Sequence, residues 1–119
     1  MLVIWILFIH WVADFICQND RMAINKSKSF RVLLEHTIVY GVVIQLGVLI
    51  YAMAHLYFTG DVFQWNPYLV ALNFPAHFIT DGITSRITTM LYNKGERHWF
   101  FVVIGFDQFL HYVVLFLTI

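Results

Sequence analysis

Apolar residues run along this chain in four long blocks, without the regular apolar–polar alternation of a water-facing fold. The blocks cover roughly residues 2–18, 32–57, 68–90 and 99–119. Each is near or above the ~20 residues that carry a helix across a hydrocarbon core. Segments that are apolar on every side predict helices buried all round, either in a large core or in lipid. The blocks are separated by "NDRMAINKSKSFR", "FTGDVFQWN" and "NKGERHW". Pro75 falls inside the third block and predicts a kink there, with a freed carbonyl. The end of that block, "TSRITTMLY", reads as an amphipathic extension into water.

Composition decides between core and lipid. Of 119 residues, 61% are hydrophobic and 12% charged, against roughly 25% charged in soluble domains. Too little polar material is present to cover a surface in water. The expectation is an all-α protein, a four-transmembrane-helix bundle forming one integral membrane domain over residues 1–119.

Charge placement orients it. All seven basic residues, Arg21, Lys26, Lys28, Arg31, Arg86, Lys94 and Arg97, lie in or beside the first and third connections, while the second carries Asp61. The positive-inside rule puts residues 19–31 and 93–98 in the cytoplasm and both termini outside. The first block has no basic segment before it and no small-residue cleavage site, so it reads as a retained helix, not a signal peptide. Tyr57, Trp65 and Tyr68 at one boundary, and Tyr92 and Trp99 at the other, fit interfacial belts. A net charge of zero gives no sign of nucleic acid as a partner. The lone Cys17 excludes an internal disulfide and a Cys-rich metal site.

Polar residues inside the apolar blocks carry the candidate chemistry. The i, i+4 spacing aligns His10–Asp14–Gln18, Asn73–His77–Asp81 and Asp107–His111 as three stripes, each on one helix face. Glu35, His36 and Gln45 occupy the second block. At ~1.5 Å per residue, Asp14 and His36 lie roughly 6–8 Å from the cytoplasmic helix ends, and His10 and Asp107 roughly 12–14 Å. His77 and His111 come out at about 20 Å, less if the third helix projects into the cytoplasm. Each Asp at mid-span costs about 2.5–3.5 kcal/mol on insertion scales, so these groups must face inward and be paired, hydrated or metal-bound.

A carboxylate one helical turn from an imidazole is a common way to present ligands. The set His10, Asp14, His36, His77, Asp81, Asp107 and His111 suits a divalent transition metal, Zn, Mn or Fe, and supplies ligands enough for two ions. Two such ions clamp a phosphoryl or acyl oxygen and activate water, with Asp107 or Glu35 as general base. Gln18, Lys26, Lys28, Arg86 and Gln108 are the candidate substrate contacts, the basic ones for a phosphate at the site mouth. That basic loop also has an ordinary topogenic and headgroup role. Gln45 and Asn73 read as helix–helix hydrogen bonds, and His55 and His98 as solvated interface residues.

"HWVADFI" (10–16) and "HFITDGI" (77–83) agree at His, Asp and Ile, and each is followed by a returning helix with one inward His. That order suggests a duplicated two-helix hairpin. The combination H-x3-D-F-x2-Q, "NKSKS", the isolated His of "LLEHTIVYG", "HFITD" and D-Q-x2-H resembles an uncharacterised family of small polytopic membrane proteins from bacteria and their phages. His10, Asp14, Gln18, His36, His77, Asp81, Asp107, Gln108 and His111 fall on that pattern, with Arg86 where the family would offer Lys. The chain is also loosely similar to inner-membrane metal-dependent hydrolases.

The functional expectation is therefore a metal-dependent membrane hydrolase of a bacterial inner membrane, acting near the cytoplasmic face on a phosphate or ester of a lipid-linked substrate. The competing reading is transport or binding of a divalent metal or protons through the same layer. Paired-His haem ligation ranks last, because carboxylates follow two of the four histidines by one turn.

Overall fold

The computed structural model describes residues 1–119, and every regular element in it is helical. Helix α1 is Leu2–Trp11 and passes directly into a π-helical turn, Val12–Ile16. A short α2, Asp20–Asn25, precedes the long α3, Phe30–Thr59. Helices α4, Tyr68–Asn93, and α5, Arg97–Thr118, complete the chain.

Local chemistry sets these boundaries. Asn19 caps α2, its side chain accepting from the Met22 N–H at 2.9 Å, and Met22 is buried against the bundle. The first connection, which reads as loop from composition, is thus part helix: an Asn–Asp pair starts it and one buried methionine docks it. Ser29 accepts from the Val32 N–H at 3.4 Å at the head of α3. Gly60 ends that helix in the left-handed region at φ 79°, a conformation glycine adopts without the clash a Cβ would bring. Helix α4 runs unbroken through Pro75 to Asn93, so the "TSRITTMLY" stretch is its last turns.

The bundle is 55 Å long and 26 × 21 Å across. Helices α4 and α5 pack along most of their length, α3 lies on α4, and α1 lies on α3. The α1–α3 approach depends on Gly47, where a Cβ would stand 2.5 Å from a methyl of Ile9. At the same crossing the Trp5 indole N–H donates to the Gly47 carbonyl at 2.8 Å. Small residues at a helix crossing allow this closeness.

Burial runs opposite to that of a soluble protein. Eleven polar or charged residues are buried against ten hydrophobic ones, while Phe8, Leu46, Ile50, Phe106 and Phe109 are among the many large apolar side chains facing outward. Two helices, α3 and α5, are long and apolar enough to cross a membrane, and Leu2–Ile16 is a shorter apolar helix. The interior is layered. Ile6, Val48, Leu69 and Leu115 form an apolar cluster. Beside it comes the polar layer, which starts one turn along α1 at His10 and one turn along α5 at His111. Beyond that, the first and third connections lie at one end of the molecule: Thr89 donates to Ser27 at 2.9 Å, and Lys28 and Lys94 border one hollow.

Candidate metal centre

Four side chains from three different segments converge in the polar layer. The π turn delivers Asp14, α3 delivers His36, and α4 delivers His77 and Asp81. All four are buried to within a few per cent. His36 Nε2 lies 3.1 Å from Asp81 Oδ2, 3.2 Å from Asp14 Oδ1 and 3.1 Å from His77 Nε2. His77 Nε2 lies 3.7 Å from each of the same two oxygens. The two carboxylates offer oxygens within 4.8 Å of each other.

These separations have a simple meaning. Four ligands at about 2.0–2.1 Å around a tetrahedral ion stand about 3.3 Å apart. The five edges that involve an imidazole, 3.1–3.7 Å, bracket that value. Hydrogen bonding does not account for the arrangement equally well, because His36 Nε2 has three polar neighbours within 3.2 Å and at most one proton to share. Asp14 Oδ1, buried and aimed into the group, makes no hydrogen bond at all. A cation at the centre satisfies every one of these atoms. The cluster can hold a metal ion, and its imidazole and carboxylate donors suit Zn, Mn or Fe.

The His77 ring is held by stacking on Tyr40, with centroids 3.7 Å apart and planes 9° from parallel. Packing orients this ligand, since the Nδ1 atoms of His36 and His77 have no acceptor.

A second group adjoins the first. Asp14, Asp107 and His111 bring ligand atoms within 4.8 Å of one another. Asp107 accepts from Thr84 at 2.5 Å and from the Gln108 amide at 3.1 Å, and its Oδ2 is 3.5 Å from His111 Nε2. His111 Nε2–H donates to Asp81 Oδ1 at 3.0 Å, so Asp81 touches both groups, one oxygen in each.

His10, expected among the ligands, stands beside them. Its Nδ1 is 3.1 Å from the Tyr40 hydroxyl and its Nε2 3.0 Å from Gln108 Oε1. Residues 10–14 and 77–81 have the same spacing but different backbones. In the π turn the Cys17 N–H reaches back five residues to the Val12 carbonyl, which turns Asp14 relative to His10. In α4 the ordinary α geometry keeps His77 and Asp81 on one face. Glu35 is also apart from the layer: it is half-buried and paired with Arg21 and with Arg31, the latter at 3.4 Å.

Lys26 reaches into the centre. Its Nζ donates to Asp81 Oδ2 at 2.6 Å across 55 residues of sequence. Burial opposes its charge, but Asp81 and Asp14 outweigh burial and hold the ammonium above the usual lysine range. A raised folded value means that the ion pair is complete below the unfolded lysine value of about 10.4 and is lost only as pH climbs beyond it. Three carboxylates against one ammonium leave two negative charges when the imidazoles are neutral. One divalent ion balances them.

A cavity of about 540 Å³ opens beside the layer. Asp14, Asp107 and Gln108 face it at one side, Lys26, Lys28 and Gln18 at another, and Phe15, Ile24, Phe100 and Ile104 supply apolar wall. Gln18 Oε1 is buried there without a partner. Arg86 is exposed and borders the separate hollow with Lys28 and Lys94. Asn73 donates to Thr118 at 2.7 Å, linking α4 to α5. Tyr40 and Thr84 are site residues that spacing did not single out. Tyr40 follows His36 by one turn, which is a legible signal, whereas nothing local distinguishes Thr84 from its neighbours.

The chain belongs to the DUF3307 family of proteins of unknown function, whose model matches residues 2–119. Neither a curated protein nor a solved structure matches it.

Proposed function

We propose that the protein is a metal-dependent hydrolase embedded in a bacterial inner membrane, cleaving a phosphate or ester of a lipid-linked substrate near the cytoplasmic face. The observation that carries this reading is the close gathering of Asp14, His36, His77 and Asp81, at a spacing that suits a tetrahedral ion, beside a cavity lined by two lysines and six apolar side chains. A divalent ion, when bound, polarises a phosphoryl or acyl oxygen and lowers the pKa of water. The chain's own residues do the rest. Lys26 and Lys28 meet an anionic headgroup, Phe15, Ile24, Phe100 and Ile104 hold hydrocarbon, and Gln18 offers its free carbonyl. Asp107 faces the cavity and takes the proton as general base. Glu35, engaged by two arginines, leaves that role to Asp107.

Four crossings with both termini outside fit the inverted burial and the gathering of basic connections at one end. Helix α4 counts as a crossing in this reading because Asn73, His77, Asp81, Thr84 and Ser85 face inward. The apolar cluster of Ile6, Val48, Leu69 and Leu115 closes the layer on the far side. That favours a closed catalytic site over a transport path.

Two experiments test the reading. Protein purified in mild detergent should retain Zn, Mn or Fe and release inorganic phosphate or carboxylate from a long-chain lipid ester in mixed micelles, with activity abolished by chelator and restored by metal. Absence of bound metal, together with a melting temperature indifferent to added Zn or Mn, would sink it. Topology is read separately by single cysteines in a Cys17→Ser background. A cysteine at position 61 should react with an impermeant maleimide in intact cells and one at position 28 should not; the reverse pattern overturns the orientation.

A further inference from the structure

We infer that Gln108 holds the centre to a single metal ion, its amide nitrogen standing where a second cation would bind. The inference rests on the metal-centre reading above and specifies the nuclearity of that site.

The geometry is that of an occupied second position. Gln108 Nε2 donates to Asp14 Oδ2 at 2.9 Å and to Asp107 Oδ2 at 3.1 Å. These carboxylates, with His111, form the second ligand group. Asp14 is thus divided: Oδ1 faces the four-ligand centre without a hydrogen bond, and Oδ2 is taken by the amide. A carboxylate with one oxygen in each of two adjoining groups is placed to bridge two ions about 3.5–4 Å apart. Here an uncharged NH2 fills the second place. It supplies one proton to each oxygen and balances none of their charge.

The amide is fixed in that orientation. Two carboxylate acceptors require the NH2 end to face them, which leaves Oε1 as acceptor for the His10 Nε2–H at 3.0 Å. His10 Nδ1 then accepts from the Tyr40 hydroxyl at 3.1 Å. Tyr40, His10 and Gln108 form a one-way chain of donors ending on Asp14 and Asp107. His10, matching a ligand position by spacing, therefore acts as a positioning residue for the amide that excludes the second ion. This also accounts for the unequal use of the two H-x3-D stretches.

Exchanging the amide for a carboxylate reverses the logic. Gln108→Glu places a third carboxylate against two others, a repulsion that a bound divalent ion relieves more fully than a proton shared among them. Full-length protein in detergent should be titrated with Mn(II), with bound metal counted by equilibrium dialysis and spin coupling read by EPR. The native chain should saturate at about one ion with an uncoupled spectrum, and Gln108→Glu at about two with a coupled pair. Gln108→Ala, which removes the amide without adding charge, should take a second ion more weakly and serves if the Glu variant does not fold. Two ions in the native chain, or one at saturation in the variants, overturns the inference and leaves the hydrolase reading standing. No Mn(II) in any of the proteins overturns both.

Discussion

Asp81→Asn should abolish metal binding and activity together, and should do so more completely than any other single change in the layer. Asp81 is the hub of the site: Oδ2 receives Lys26 at 2.6 Å and stands 3.1 Å from His36, while Oδ1 receives His111 at 3.0 Å. An amide of the same shape lacks the charge and offers only one acceptor oxygen. Losing an outer partner of a metal ligand typically costs about 10–100-fold in affinity, so loss of this ligand should exceed roughly 100-fold. Asp81→Ala goes further and strands the Lys26 ammonium among buried groups, a loss of about 3–5 kcal/mol for a buried pair deprived of one partner. Competition titration with a chelating dye and thermal unfolding in detergent read the two effects. Asp61→Asn, in the second connection, is the control that should change neither. In Asp81→Asn/Lys26→Met much of the folding stability should return while metal binding stays lost, because contacting residues couple. Native-like metal affinity in Asp81→Asn would remove Asp81 from the ligand set.

Lys26→Met should act in opposite directions with and without metal. In chelator, the variant leaves Asp81 and Asp14 short of a cation and should unfold more easily. His36 and His111 remain beside Asp81, so the cost should fall near the low end of the roughly 3–5 kcal/mol for a broken buried pair. With metal, the same ammonium is a like charge beside the ion. At an effective dielectric of about 20, unit and double positive charges about 4 Å apart repel by about 8 kcal/mol. Relaxation of a flexible lysine removes most of this, yet a residual of about 1.4 kcal/mol is tenfold in affinity. Lys26→Met should therefore bind Zn or Mn at least about tenfold more tightly while melting earlier in chelator. If Lys26 also meets the substrate anion, KM for a lipid phosphate should rise in the same variant. Unchanged metal affinity would show that the lysine and the ion do not share the Asp81 oxygen.

The helical class, the three long helices with the apolar start of the chain, and the gathering of the polar layer were legible in the chain itself. Each depends on short-range relations: an uninterrupted apolar run makes a helix, and i, i+4 spacing sets which residues share a face. His36, His77, Asp81, Asp14, Asp107 and His111 were visible for that reason, as ionisable groups that no apolar surface tolerates singly. Tertiary structure decided how they are divided. Whether His10 or His77 points into the Asp/His cluster depends on a π turn in one stretch and an ordinary α turn in the other, while both read H-x3-D. Lys26 lies in a connection 55 positions from Asp81 and enters the layer because a short helix, docked by Met22, folds back over it. The roles of Gln108 and Glu35, neighbours of ligands in the sequence, were likewise settled by what stood opposite them: two carboxylates in one case, two arginines in the other. Spacing along a helix fixes direction about that helix's own axis. The rotation and offset of one helix against the next, which set every distance in the centre, come only from packing.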